Sequence, residues 1–359
     1  MSIFVTKSFL PPKEEYQQFL NQIWESHWLT NNGPILQKLE SELKKYLQTD
    51  NFLFLGNGTI ALQLAIKALD LKGEIITTPY SYCATTTSIL WENCVPRFAD
   101  ISQHDLNLNP DLIEDKITNK TSAILATHVY GNPCNVEQIE EIGNKHSIPV
   151  IYDAAHGFGV KLNGKSLLTY GDVSTCSFHA TKVFHTIEGG SIMCKSKELN
   201  DKLSLLRSFG HVNDNYYSVG INAKNSEFHA AMGLAVLPHL KSNIQKRRIL
   251  SERYDELLNF DVLFKPHSKE NDLEYNYAYY PVVLPDGEIT IKVIEALNKE
   301  DIFPRRYFYP SLNTLDYVNS TDSCPVSESV VNRVLSIPLY PDLSEEDQLR
   351  IVKIINETL

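Results

Sequence analysis

Ser177-Phe178-His179-Ala180-Thr181-Lys182-Val183-Phe184-His185-Thr186-Ile187-Glu188-Gly189-Gly190 sets a lysine between an apolar, β-branched run and a glycine pair. Residues 177–187 contain no acidic side chain, so the local sequence offers the Lys182 ammonium no partner. A lysine in a confined apolar setting loses part of its preference for the charged form and can then serve as nucleophile or proton carrier. The competing reading is a solvated surface lysine, much the commoner fate of that residue. Upstream, Pro149-Val150-Ile151-Tyr152-Asp153 reads as a buried strand that ends on a carboxylate. Open α/β sheets bind ligands in the crevice at that end of their strands. Taken alone, Asp153 is equally readable as an N-cap or a turn residue.

An amine and a carboxylate so arranged meet the needs of pyridoxal phosphate. The amine condenses with the aldehyde, and the carboxylate keeps the pyridine nitrogen protonated so that the ring accepts carbanion electrons. Opposite charges about 4 Å apart attract by roughly 4 kcal/mol at an effective dielectric near 20, enough to hold that proton at neutral pH. A phosphate cradle completes the set. Residues 51–55 read as a strand, Gly56-Asn57-Gly58-Thr59 as a tight turn, and Ile60 to Leu69 as a helix with apolar positions at 62, 65, 66 and 69. Glycine lets the backbone approach an anion, the helix N-terminus attracts it, and Thr59 adds a hydroxyl. The same turn satisfies the dinucleotide fingerprint as Gly56-x-Gly58-x-x-Ala61, which makes a nicotinamide oxidoreductase the rival reading. That fingerprint asks for an acid about twenty positions on, and Ile75-Ile76-Thr77-Thr78-Pro79-Tyr80 supplies none.

Several motifs in order resemble the sugar-nucleotide aminotransferases of the DegT/DnrJ/EryC1/StrS group. They are Trp28-Leu29-Thr30-Asn31-Asn32-Gly33-Pro34, Asn57 to Leu62, Thr78-Pro79-Tyr80-Ser81-Tyr82, Asp153-Ala154-Ala155-His156, Ser177 to Gly190, and Gly220-Ile221-Asn222-Ala223-Lys224. The resemblance runs nearly end to end and implies fold type I of the PLP-dependent transferases, the aspartate aminotransferase-like α/β fold. It makes Lys182 the attachment point of the cofactor and the acid/base, and Asp153 the partner of the pyridine nitrogen. Gly58, Thr59 and Ser177 would hold the phosphate, Tyr82 would stack on the ring, and Asn222 would reach the phosphate of the neighbouring subunit. His156 stands where the family commonly has glutamine, beside the phenolic oxygen, and its charge could titrate near neutrality. Lys224 replaces a frequent arginine, and His185 stands where asparagine is expected. A dehydratase branch carries histidine at the lysine position, which Lys182 argues against.

The chemistry so implied is ping-pong transamination. L-Glutamate would donate its amino group, leaving pyridoxamine 5'-phosphate, which would aminate carbon 4 of dTDP-4-keto-6-deoxy-D-glucose for cell-surface glycan or O-antigen biosynthesis. Amination at carbon 3, or the 4-amino galacto epimer, is the alternative within the family. A non-catalytic regulator on the same fold is a third reading, against which Lys182, Asp153 and Tyr82 weigh together. Asn31, His185, Lys224, Arg305 and Arg306 are the candidate substrate contacts, and the site is expected to be shared across a homodimer.

Composition agrees with a large enzyme of two domains. With 359 residues and 43% apolar side chains the chain can bury extensive cores. A boundary is expected at 238/239, with a large PLP-binding domain over 1–238 and a small C-terminal α/β domain over 239–359. Apolar strands are expected at 74–78, 95–99, 122–127, 149–153 and 173–178, in a mostly parallel sheet. Ala230 to Leu258 reads as helix, followed by a strand at 277–284 and a helix at 290–299. Arg305-Arg306-Tyr307-Phe308-Tyr309-Pro310 reads either as pocket lining or as an edge strand. The net charge of −11 opposes nucleic-acid binding, and Lys246-Arg247-Arg248 reads as a solvated helix face. The six cysteines lack metal-ligand spacing and suggest buried thiols. No long apolar run opens the chain, so a cytoplasmic enzyme without metal or membrane span is expected.

Overall fold

A computed structural model describes residues 2–268, 270 and 272–359. Its centre is a seven-stranded sheet of β1 (Phe52–Leu55), β2 (Glu74–Thr77), β3 (Val95–Phe98), β4 (Thr121–Thr127), β5 (Val150–Asp153), β6 (Val173–Ser177) and β7 (Gly190–Cys194). The spatial order is β1-β7-β6-β5-β4-β2-β3. Pairing is parallel from β6 through β5, β4 and β2 to β3, and only β7 runs antiparallel to its two neighbours.

Alternation along each strand explains why the sheet is sandwiched. Leu53, Leu55, Ile75, Leu125, Ile151, Val173 and Ile192 face α1 (Gly58–Ala68) and a helix at Lys197–Leu206. On the other face, Phe52, Phe54 and Met193 meet a helix at Pro34–Leu47, while Ile76, Ile124, Val150 and Tyr152 meet one at Val136–His146. Both faces are apolar, as a parallel sheet covered by crossover helices requires.

The helix expected over Ala230–Leu258 is two helices, Glu227–Val236 and Leu240–Leu257, separated by a 3-10 turn at Leu237–His239. Pro238 sits in that turn; proline lacks the N–H for the helical ladder and clashes with the preceding turn. Beyond it a second apolar cluster gathers Leu250, Tyr254, Val282, Val293, Leu335 and Ile351. It encloses the antiparallel pair Tyr280–Val283 and Val334–Ile337, shorter than the expected 277–284 strand, and helices at Gly287–Lys299 and Glu345–Thr358. The N-terminal Ile3–Phe4 pairs in parallel with Ile302–Phe303, so the start of the chain rests on this C-terminal unit.

The basic run 246–248 does not behave as one solvated face. Arg247 is buried and donates to the carbonyls of Tyr277, Ala278 and Leu339, at 3.5, 3.3 and 2.9 Å. Burial lowers its pKa to about 10, which leaves it charged at neutral pH. Arg248 pairs with Glu252 at the surface. Buried Glu227 is likewise structural. Its carboxylate accepts the Ile35 and Leu36 N–H groups at 2.8 and 3.0 Å, placing an anion at the start of the Pro34–Leu47 helix, where the dipole favours it.

His128, stacked on Tyr152 at 4.6 Å, is fully buried, and burial holds its pKa down at about 3. Its unfolded value is near 6.5, so the unfolded chain takes up a proton first as pH falls. Stability is therefore complete above pH 6.5 and drains away down to about pH 3. At pH 5 the loss from this residue is about 2 kcal/mol. Urea unfolding of His128→Asn, whose amide oxygen can replace Nδ1 as acceptor for the Cys134 N–H, is expected to show a smaller stability difference between pH 7 and pH 5 than the parent. An equal difference would refute it.

Candidate active site

The carboxyl ends of β5 and β6 and the start of α1 converge on a cleft of about 330 Å³. A larger recess of about 380 Å³, bordered by Tyr46, Lys161, Lys165 and Lys195, lies elsewhere on the surface and does not include the acid, the amine or the phosphate turn. The smaller cleft is where the chemistry-bearing groups meet. Gly58, Thr59, Tyr82, Asp153, His156, Ser177, Lys182 and Arg305 all line it.

Asp153 is the last residue of β5 and is buried at its floor. Oδ2 accepts from Thr85 Oγ1 at 2.7 Å and Oδ1 from the Ala155 N–H at 3.1 Å. Burial pushes this carboxyl above its ordinary range, against which the two hydrogen bonds and the Lys182 charge pull it down. Lys182 Nζ lies 3.3 Å from the Tyr279 hydroxyl, in the turn that follows β6. Neighbouring Cys176 is buried, and burial pushes its thiol up to about 12, leaving it a neutral filler.

His156 does not titrate near neutrality. Burial first, and the Lys182 charge second, hold its imidazole well below the usual value. Nδ1 accepts the Tyr130 N–H at 3.2 Å, so the neutral ring carries its proton on Nε2. Phe308 stacks on the ring with an interplanar angle of 4°. The histidine thus offers a fixed neutral donor.

The phosphate cradle follows from helix-end chemistry. The first N–H groups of any helix lack intrahelical partners. Asn57 Oδ1 caps Ile60 N at 2.8 Å, leaving the Gly58 and Thr59 N–H groups for an anion. Close approach of β7 fixes the turn. A Cβ on Gly190 would stand 2.4 Å from Asn57 C and 2.7 Å from Gly58 N, and one on Gly58 would stand 3.1 Å from Ser177 Cβ. Gly190→Ala is therefore expected to cost about 1–3 kcal/mol of stability and to weaken pyridoxal phosphate binding by displacing Gly58. Thermal unfolding with and without cofactor reads both, and an unchanged protein would contradict the geometry.

Five candidate contacts lie outside the cleft lining. His185 is buried, with Nε2 2.6 Å from the Phe9 carbonyl and Nδ1 accepting from Ile187 N at 3.3 Å, so it braces the loop rather than a substrate. Arg306 lies 3.4 Å over the Tyr309 ring and donates to the Val331 carbonyl. Lys224 Nζ sits 4.7 Å from the Phe209 ring centroid. Asn31 and Asn222 are exposed. Sequence reasoning in turn missed Thr85, Tyr130 and Tyr279. The 305–310 segment pairs with the Val334–Ile337 strand only through Arg305 and Ser336, and it turns Tyr307 and Phe308 into the cleft. Tyr80 and Tyr130 hold it there, both hydroxyls donating to the Tyr307 carbonyl.

Neutral donor, buried carboxylate, amine and anion-binding helix end fit pyridoxal phosphate group for group. The model of the DegT/DnrJ/EryC1/StrS aminotransferase family matches residues 12–356, and the chain belongs to that family of PLP-dependent sugar aminotransferases. The nicotinamide reading falls with that membership. The chain is 39% identical to a dTDP-4-amino-4,6-dideoxy-D-glucose transaminase of Shigella dysenteriae over 99% of its own length and 98% of that protein. Among solved structures it resembles DesI in the presence of its TDP-sugar product, with TM-score 0.93, 28% identity, and coverage of 99% of this chain and 92% of that one. It also resembles NtdA from Bacillus subtilis with bound cofactor PMP, with TM-score 0.88, 27% identity, and coverage of 96% and 81%.

Proposed function

We propose that this chain transfers the amino group of L-glutamate to the C4 ketone of dTDP-4-keto-6-deoxy-D-glucose, giving dTDP-4-amino-4,6-dideoxy-D-glucose. The observation that carries the reading is the convergence of Lys182, Asp153 and the α1 N-terminus on one cleft. Pyridoxal phosphate, when bound, supplies the electron sink that acidifies the donor Cα–H and later carries the amino group to the ketone. The residues do the rest. Gly58, Thr59 and Ser177 would hold the phosphate, Asp153 would keep the ring nitrogen protonated, and His156 Nε2–H would be the donor for the phenolic oxygen. Lys182 Nζ would move the proton from the donor carbon to the cofactor, and in the second half-reaction from the cofactor to the sugar carbon, a role worth about 10²–10⁴-fold in rate. Tyr82, 61% exposed at the cleft lining, covers the ring once it is seated. Arg305, poised 5.6 Å over Tyr307, meets the anionic nucleotide sugar.

The working form is a homodimer in the cytoplasm, divided near 238/239 into a cofactor-binding and a smaller domain. Support for the dimer comes from Phe209, Val212, Tyr216, Tyr217, Val219 and Ile221, exposed together in the segment that ends at Asn222. Asn222 would serve the neighbour's phosphate, so a dissociated monomer is inactive. Among the described residues no helix is long and apolar enough to cross a membrane.

Incubation with glutamate and a panel of keto sugar nucleotides, followed by NMR assignment of the product, tests the reading. A 4-amino gluco product from the dTDP sugar is expected. An amine at carbon 3, or an axial amine at carbon 4, would replace the regiochemistry and leave the transaminase standing. No turnover with any sugar, from a protein that binds cofactor, would overturn the function.

A further inference from the structure

Three hydroxyls stand behind Asp153 in a line that the amination chemistry above does not use. Thr127 Oγ1, on the last residue of β4, donates to Ser81 Oγ at 3.2 Å. Ser81 Oγ lies 2.7 Å from Thr85 Oγ1, and Thr85 Oγ1 lies 2.7 Å from Asp153 Oδ2. Ser81 is 3% exposed, Thr127 2% and Thr85 wholly buried, so little of this row is open to water although Ser81 and Thr127 border the cleft. An ionised carboxylate only accepts, which makes Thr85 the donor to Asp153. Thr85 is then left to accept from Ser81, and Ser81 from Thr127. Each hydroxyl has one proton, and each points toward the carboxylate.

We infer that Thr85 is the positioning residue for the charge of Asp153, with Ser81 and Thr127 fixing the direction of its proton. The inference rests on the cofactor reading given above and concerns how this chain keeps the ring partner anionic. A row of three aligned O–H dipoles ending on a carboxylate stabilises its anion, and inside a protein such bonds polarise one another. Protonation of Asp153 on Oδ1 leaves Oδ2 accepting from Thr85, but as a neutral carbonyl oxygen that gains less from the row than the carboxylate does. The arrangement therefore opposes the burial that favours the neutral acid. The titratable groups near Asp153 are Lys182 and Cys176; the thiol is neutral, and Lys182 is consumed when it joins the cofactor. Among the described residues the Thr85 hydroxyl and the Ala155 N–H are the hydrogen-bond donors to the carboxylate.

The test is a cofactor-binding cycle in the full-length protein, read by absorbance titration of pyridoxal phosphate and of pyridoxamine phosphate, which needs no covalent bond. Thr85→Val keeps the shape and removes the donor. It is expected to raise the Kd for both forms by about tenfold to a hundredfold, the worth of one hydrogen bond to a charged group. Thr85→Ser should restore most of the affinity, and Ser81→Ala should give a smaller loss. In an Asp153→Asn background, Thr85→Val should add nothing, because the charge it serves is gone. Equal losses in both backgrounds, or failure of Thr85→Ser to restore binding in a protein with unchanged circular dichroism, would overturn the inference and leave Thr85 a packing residue. If the unaltered protein binds neither cofactor form, the parent reading fails instead.

Discussion

Lys182→Ala is expected to abolish transamination, with turnover down by at least about 10²–10⁴-fold. The lower bound comes from the proton transfer alone. The same substitution removes the amine that holds the aldehyde, so borohydride treatment should no longer fix pyridoxal phosphate to the chain. Binding and chemistry separate here. Gly58, Thr59, Ser177, Asp153 and His156 remain, so the variant should still take up pyridoxamine phosphate, which needs no covalent bond. Added methylamine can stand in for the missing side chain as a proton carrier. Partial recovery with methylamine would mark the loss as chemical rather than structural. Neighbouring side chains do not rescue the role. Cys176 is held neutral by burial, His156 keeps a single proton on Nε2, and Tyr279 only touches the amine. Full activity in Lys182→Ala would remove the cofactor assignment together with the acid/base role.

What the sequence disclosed follows a physical divide. The parallel strands were legible because β-branched runs buried on both faces leave a mark that depends on few neighbours, and Asp153 and Ser177 could be placed because each ends such a run. Strand β7 escaped. Its opening Gly190, with Gly189 before it, resembles a loop, and Ser191-Ile192-Met193-Cys194 is too short to show a period. Pro238 breaks the helical pattern of Ala230–Leu258, a break that the apolar spacing on either side of it masks. Burial was the harder quantity. Arg247 looks like its neighbours in sequence, and only the packing of the Tyr277, Ala278 and Leu339 carbonyls around it distinguishes it from the exposed Arg248. Likewise His185 lies three positions from Lys182, yet it turns away to the Phe9 carbonyl, a contact 176 residues distant. Tyr279 comes to the cleft, Tyr130 to His156 and Thr85 to Asp153 by tertiary folding, and nothing local in the chain announces them.

Asp153→Asn should reduce transamination by roughly 10³-fold, the equivalent of a charge pair worth about 4 kcal/mol. The amide keeps the shape and one acceptor, so the fold should survive. Its charge is what disappears. A ring nitrogen facing a neutral amide in a buried site sheds its proton, and an unprotonated ring is a poor electron sink. The loss should therefore fall on turnover more than on glutamate KM, since Asp153 acts on the ring and does not hold the donor. The pH profile gives a second handle with a definite sign. Burial raises the Asp153 carboxyl above its ordinary value, so the cofactor-free protein protonates this residue earlier on acidification than an exposed aspartate would. Affinity for the protonated ring should be full above that raised value and fall as pH drops through it. In Asp153→Asn this acid limb should vanish, leaving weak binding that is flat over the same interval. An acid limb that persists unchanged in the asparagine variant would assign the titration to another group and remove Asp153 from its place under the ring.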